Sequence, residues 1–357
     1  MNMIRNICIL ILLILSTMTD SFSQTDSTFK IFQFPADKIP RIDGNAEDWT
    51  IVPDEYIIGS AELTDTRKNA VLDTNNINIK VRVGWVNGMN CLYFLYEAYD
   101  NFWHFSRTDV HHDIFEIVVD GDQSGGPLIE EFHPNSQLKN TMEGYFSYHG
   151  VHAQNYHIYT PAEGQDWCLA WGSQPWVKEL PYSNAAYSYD FKHGEPGKLI
   201  LEFWITPFDY AGAEGPDRAV ESILKEEKNI GISWAVIDYD ERGSSGFWNL
   251  SKVHSMYGDA SYLRTFKLMP LEPQFLKKIE AQWSFHVLDM NKRLVSFQDK
   301  SYGKITSWKW DFGDGNTSSE QSPIHTYKEA GKYIVTLYVE GPEGQSRRAK
   351  VWDVALK

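Results

Sequence analysis

The chain is short of positive charge, with 33 Lys and Arg against 48 Asp and Glu and a formal net charge of −15. Such a surface repels phosphate backbones and anionic headgroups, which sets nucleic acid and membrane surfaces aside and leaves neutral or cationic partners. Long hydrophobic runs are also scarce. Ile7 to Leu15 is apolar throughout, but a bilayer span needs about 20 such residues. Arg5 precedes this run, and Ser21-Phe22-Ser23 offers small residues after it. Residues 1–23 therefore read as an export signal, cut before Gln24, and no second segment would hold the remainder in a membrane. Arg5 and Asp20 cancel, so the remainder keeps −15. The expected location is the periplasm or the exterior of the cell.

Cysteine is nearly missing. Beyond the leader only Cys91 and Cys168 remain. In an oxidising compartment the two could pair and contribute about 4 kcal/mol. Both sit in apolar surroundings, where free buried thiols are common. Catalytic signatures are missing as well. The sequence has no H-E-x-x-H, no C-x-x-C-H, no G-x-S-x-G elbow, no glycine-rich phosphate loop and no Cys-His pair. Glu130-Glu131 and Asp238/Asp240 are the acidic pairs on offer for glycoside chemistry. The latter follow a strand and read as solvated turn residues, so no enzyme is expected. Fixed-period repeats and low-complexity tracts are absent too.

Aromatic residues are plentiful, with 13 Trp, 19 Tyr and 19 Phe, a composition foreign to disordered chains. Strand patterns dominate. Ile77 to Val83 alternates with period two, and Leu92–Tyr96, Ile114–Val119, Leu199–Ile205 and Ile230–Ile237 are compact apolar runs separated by turn clusters. The fold class expected is all-β, with two β-sandwich domains. A helix is expected over Asp217–Lys228, after Pro216, with Ala219, Ile223 and Leu224 on one face. Residues 121–190 are the least regular stretch and read as binding loops. Pro270-Leu271-Glu272-Pro273 marks a boundary, giving a large domain over 30–270, a linker over 271–282 and a small domain over 283–357.

The small domain carries Trp308-Lys309-Trp310-Asp311-Phe312-Gly313-Asp314-Gly315, then Ser322-Pro323-Ile324-His325-Thr326-Tyr327 and Ala330-Gly331-Lys332-Tyr333. It resembles a PKD domain, which implies an immunoglobulin-like sandwich acting as a spacer or as a contact for other envelope proteins. Physical reasoning agrees. Trp308 and Trp310 share a strand face toward the core, Val335, Leu337 and Val339 face inward, and the Asp-Gly cluster is a turn. Calcium on Asp311 and Asp314 is the functional alternative to that turn.

The large domain carries Ile42-Asp43-Gly44 with Trp49, Val83-Gly84-Trp85 with Asp100, Asp113-Ile114-Phe115-Glu116-Ile117 with Asp120, and later Gly231, Asp238 and Tyr257-Gly258. Their order resembles the family 9-like carbohydrate-binding modules of the DOMON-type fold. The resemblance implies saccharide recognition by aromatic faces flanked by amide and carboxylate groups. Aromatics placed in loops are the candidates: Trp103, Trp167, Trp171, Trp176 and Trp248. Trp85, Trp204 and Trp234 lie in strand patterns and read as core. The sequence departs from the family just before the D-x-x-E-I segment, where Val110-His111-His112 stands in place of a Trp.

Asp120 and Asp122 alternate in a glycine-rich loop and suit calcium, the one cofactor the pattern suggests; the alternative is a structural turn. Eight of the eleven His fall between 104 and 193, and His149, His152 and His157 invite a metal or haem reading against that of ordinary loop histidines. Three functions stay open: an exported, non-catalytic glycan binder, a structural or interaction component of the envelope, and a haem or metal carrier.

Overall fold

The computed structural model describes residues 28–107, 109–126, 149–240, 243–276 and 278–354. The leader, Glu130-Glu131 and His133 lie outside the described residues. Strands run in chain order as β1 Phe29–Gln33, β2 Ile58–Gly59, β3 Thr64–Asp65, β4 Ile77–Trp85, β5 Leu92–Asp100, β6 Ile114–Asp120, β7 Gln154–Tyr159 and β8 Cys168–Ala170. There follow β9 Ser183–Tyr189, β10 Gly197–Ile205, β11 Phe208–Tyr210, β12 Val220–Glu221, β13 Asn229–Asp240, β14 Gly243–Asn249 and β15 Arg264–Leu268. The small domain contributes β16 Trp283–Asp289, β17 Leu294–Asp299, β18 Ser307–Asp311, β19 Thr317–Ser318, β20 Ile324–Thr326, β21 Gly331–Gly341 and β22 Gly344–Val354. Among the described residues the only helical pieces are short 3₁₀ turns. The fold is all-β, as the period-two patterns require.

The large domain is a sandwich whose two sheets are joined through one strand. A front sheet runs β8-β7-β6-β13-β15, and a back sheet runs β4-β5-β10-β9. Strand β1 belongs to both: Phe29 to Ile31 lie parallel to Phe266 to Leu268, and Phe32 and Gln33 lie parallel to Gly84 and Trp85. Between the sheets sits the main core. Tyr96 of the back sheet stacks on Phe115 of the front sheet at 4.4 Å, and Phe94 stacks on Phe203 at 4.6 Å. Trp85 and Trp234 are fully buried there, as expected of strand tryptophans.

Both sheets are covered on their outer faces as well, which explains the continuous apolar runs. On β5, Leu92, Phe94 and Tyr96 enter the central core, while Tyr93 and Leu95 enter a second cluster beneath residues 34–56. On β6, Phe115, Ile117 and Val119 face the centre, and Ile114 and Val118 face a third cluster beneath residues 253–260. A strand buried on both faces cannot show alternation, because neither side meets water.

The Ile42-Asp43-Gly44…Trp49 segment is structural. Glu202 of β10 is buried, and its carboxylate accepts the amides of Asp43, Gly44 and Asn45 at 3.2, 2.8 and 3.0 Å and the Trp49 indole N–H at 2.8 Å. Gly44 has φ +80°, and a Cβ there would meet the Tyr187 carbonyl oxygen at 2.7 Å.

Two expectations are corrected, and of the two readings left open for the cysteines one is found. Residues 217–228 form no helix: a 3₁₀ turn at Pro216–Arg218 leads into β12, which pairs with β11. Ser222 is pinned by its amide to the Pro207 carbonyl at 2.9 Å, and Glu227 takes φ +68°, both incompatible with a continuing helix. Residues 121–190 are not all loop, since β7, β8 and β9 lie there. Cys91 and Cys168 are both free. They occupy different clusters, Cys168 in the central core and Cys91 under the cover of the back sheet.

The small domain packs a three-stranded sheet, β16-β17-β20, against a four-stranded one, β19-β18-β21-β22. Trp310, Val335, Leu337 and Val339 are buried between them and Trp308 packs at the margin, matching the inward faces read from sequence. In the turn, Asp311 caps the Gly313 amide at 2.9 Å, and Asp314 caps Asn316 at 3.0 Å while meeting His325 at 2.7 Å. Between the domains, Phe275 docks edge-on against Phe32 at 6.1 Å, and Lys304 reaches Glu226 at 3.5 Å.

Gly44→Ala should destabilise the large domain by about 1–3 kcal/mol through forced strain. Denaturant unfolding would measure it, and a variant of wild-type stability would refute the clamp.

Candidate functional site

The outer face of the front sheet carries a cavity of about 540 Å³. Its floor is set by strand parity. Along β6, even positions face outward, so Glu116 lies between Ile114 and Val118 on the covered face and directly opposite His157 of β7. Glu116 and His157 are 5% and 4% exposed, and His157 Nδ1 is hydrogen-bonded to Glu116 Oε2. The other carboxylate oxygen accepts from Asn155 Nδ2 at 2.6 Å, and Asn155 Oδ1 accepts from His149 Nε2 at 2.8 Å. Burial holds the His149 imidazole below its ordinary pKa, which keeps it neutral. The chain His149–Asn155–Glu116–His157 is thus hydrogen-bonded from end to end. It ends at His157 Nε2, which has no partner among the described residues and accepts in a neutral ring or donates in a protonated one.

Aromatic faces surround that floor. Trp171, just after β8, meets the His157 ring edge-on at 5.7 Å. Tyr239 near the end of β13, Phe247 of β14, and His254 and Tyr257 of the covering turn complete the walls. Arg67 and His111 are exposed at the rim. Asp65 of β3 is fully buried and orders the Arg67 loop, accepting the amides of Arg67, Ala70 and Phe247 at 3.1, 3.1 and 3.2 Å. Those amide bonds outweigh the cost of burial and hold its carboxyl below the usual range.

The five tryptophans expected to bind ligand do not come together. Trp171 lines the cavity. Trp103 is 1% exposed, stacked on Phe191 at 4.9 Å with its indole N–H on the Gly197 carbonyl at 3.0 Å. Trp248 is 5% exposed and packs in the central core. Trp167 and Trp176 are half-buried against that core, and their N–H groups donate to the carbonyls of Lys178 and Gly212 at 3.1 and 3.0 Å. Trp103, Trp167 and Trp176 lie in loop or turn segments that fold back onto the core, whereas Trp248 lies in strand β14 and points into it. His157 is likewise a strand residue, not a loop one, and His112 is buried between the carbonyls of Arg107 and Pro161 at 2.9 and 3.0 Å.

Carboxylates gather in two places. Asp120 and Asp122 stay at their loop: Asp120 accepts the amides of Asp122, Ser124 and Gly125 at 3.3, 3.3 and 2.9 Å, and Asp122 accepts that of Ser124 at 3.1 Å. The second place was not anticipated. Asp100 at the end of β5, Asp113 just before β6 and Asp238 in β13 are all buried, and each offers an oxygen within 4.8 Å of the others. Asp238, read as a solvated turn residue, is 1% exposed. Burial first, then repulsion from Asp238, pushes Asp100 up to about 8; burial and then Asp240 push Asp238 up to about 7; burial and then Asp100 push Asp113 well above the carboxylate range. This is the one group among the described residues whose donor atoms converge enough to hold a metal; no group of histidines does so.

The family model for the PKD domain matches residues 290–355, and the small domain is a PKD domain. Collagenase ColQ1 of Bacillus cereus is 46% identical over 48 residues, 13% of this chain and 5% of that one. The pre-pro-metalloprotease PrtV of Vibrio cholerae is 29% identical over 138 residues, 39% of this chain and 12% of that one. The matches therefore span only a small fraction of these relatives. Among solved structures, the PKD1 domain of the Vibrio cholerae metalloprotease is 31% identical, covering 22% of this chain and 100% of its own at a TM-score of 0.21. A family 9 carbohydrate-binding module from Caldicellulosiruptor kristjanssonii, in complex with cellotriose, is 14% identical, covering 69% of this chain and 95% of its own at a TM-score of 0.45.

His157→Ala should leave the buried Glu116 carboxylate without its ring partner and cost about 1–3 kcal/mol, with His157→Gln recovering part of the loss. Urea denaturation of the three proteins would measure it, and equal stabilities would show that the pair is not coupled.

Proposed function

We propose that this chain is an exported, non-catalytic glycan-binding protein whose saccharide site is the cavity over Glu116 and His157. One observation carries the reading: aromatic faces from Trp171, Tyr239 and Tyr257 surround a buried, internally paired floor that leaves His157 Nε2 free for a hydrogen bond. Sugar rings present apolar C–H faces and hydroxyls together, so a site needs π-surfaces beside fixed hydrogen-bond groups. A volume of about 540 Å³ falls among small-ligand sites, which run from about 300 to 1,000 Å³. The order of motifs shared with family 9-like modules supports the same reading. Export is inferred from the leader-like residues 1–23, and the PKD domain serves as spacer or docking module.

A second reading, an interaction component of the envelope, is favoured by a separate observation. Ile334 and Val351 are cross-strand partners on the outer face of the PKD domain and are 61% and 68% exposed. An apolar pair held out to solvent suits a protein contact.

A glycan array probed with residues 24–357 separates the two. The glycan reading expects a defined saccharide hit, weakened more than tenfold by Trp171→Ala or Tyr239→Ala and unaffected by Ile334→Ser. A blank array, or a hit indifferent to both cavity variants, would reject the cavity as the site.

A further inference from the structure

Three carboxylates face one another at the end of the sandwich where β5, β6 and β13 meet. They are brought there by strand parity, and the D-x-x-E segment shows how. Its Asp113 and Glu116 are three residues apart, so they leave opposite faces of one strand. Glu116 goes to the outer cavity, while Asp113 goes inward to meet Asp100 and Asp238. Each residue is held in place by the fold. Asp113 Oδ1 accepts the Tyr239 amide at 2.7 Å, and its Oδ2 accepts the His104 amide at 2.5 Å. Asp100 Oδ1 accepts the Phe102 amide at 3.0 Å, and Asp238 Oδ2 accepts from Asn76 Nδ2 at 2.8 Å.

Two oxygens are left over. Asp100 Oδ2 and Asp238 Oδ1 are buried without a hydrogen-bond partner among the described residues, on side chains 0% and 1% exposed. A buried carboxylate oxygen with nothing donating to it is costly, and two beside a third carboxylate are costlier still. Asp240 adds a further negative charge nearby, and Lys68 is the cation whose field reaches Asp238. Oxygen ligands of calcium lie at about 2.3–2.6 Å, so two ligands of one ion are at most about 5 Å apart. The 4.8 Å limit within which all three donor oxygens fall meets that condition.

We propose that Asp100, Asp113 and Asp238 form a buried site for a calcium-class divalent cation that ties the two sheets of the large domain together. The ion takes the two unpaired oxygens together with Asp113, whose carboxylate keeps lone pairs beyond the two amide bonds. This is the hard, oxygen-only donor set such ions select. It goes beyond the glycan reading and stands without it. It also bears on the cavity, because Asp113 holds the backbone of Tyr239, a cavity wall residue. The Asp120-Asp122 loop is not this site, since its carboxylates are not part of the converging group among the described residues.

The test uses the full mature chain at one fixed pH. Protein stripped with chelator is titrated with calcium alone, following thermal unfolding and bound metal by elemental analysis. The expected result is one calcium per chain and a rise in Tm of several degrees. Asp238→Asn and Asp100→Asn should each weaken calcium binding at least tenfold, and Asp122→Asn should leave it unchanged. No bound calcium and no shift in wild-type Tm would overturn the proposal. So would loss of binding in Asp122→Asn with retention in Asp238→Asn. An Asp238→Asn protein that melts higher than wild type, whose own Tm does not respond to calcium, would assign the cluster to a shared proton. Because the wild-type measurement stands alone, failure of a variant to fold does not spare the proposal.

Discussion

Burial on both faces of the central strands is the constraint from which the rest follows. Strands β6 and β13 have a core on one side and a covered face on the other, so a polar side chain placed on either meets no water. Every such group must then find a partner inside the protein. Glu116 finds His157 and Asn155, and Asp113 finds two backbone amides. Among the described residues, the buried groups left without a partner include the outer ring nitrogen of His157 at the cavity and one oxygen each of Asp100 and Asp238 at the end of the sandwich, besides the Tyr156 hydroxyl, the Ser233 hydroxyl and the Trp234 indole nitrogen. The two candidate sites of the large domain are where such atoms stand beside other polar groups.

Much of the framework was legible in the sequence. The runs at Ile77, Leu92, Ile114, Leu199 and Ile230 are strands because their apolar content is too dense and too short for anything else. In β21, clean alternation puts Val335, Leu337 and Val339 on one face of the strand, and that face is the buried one. The misreadings share a physical origin. Propensity suggested a helix at 217–228, but strand pairing to β11 and a left-handed Glu227 decided otherwise. Tryptophans outside strand patterns were read as exposed, yet Trp103 and Trp248 close the core from its ends.

The site itself left a fainter trace. Glu116 inside Ile-Phe-Glu-Ile-Val-Val and His157 inside Asn-Tyr-His-Ile are polar residues within otherwise apolar strands. That pattern is the available signal, because a buried polar residue is tolerated only when something pairs with it. Which residue pairs with which depends on the register of β6 against β7, which the apolar pattern of the two strands does not specify. Asp100, Asp113 and Asp238 lie far apart in sequence, so their convergence follows from topology alone. The PKD domain is the opposite case, where a contiguous turn, Asp311 to Gly315, carries its own hydrogen-bonding logic.

The central claim is that a saccharide occupies the cavity over Glu116 and His157. The most direct measurement is a crystal structure of the chain soaked with a saccharide that it binds in solution. The expected result is a sugar ring packed on Trp171 or Tyr239, with a hydroxyl hydrogen-bonded to His157 Nε2. Sugar density elsewhere, with this cavity holding only water, would contradict it.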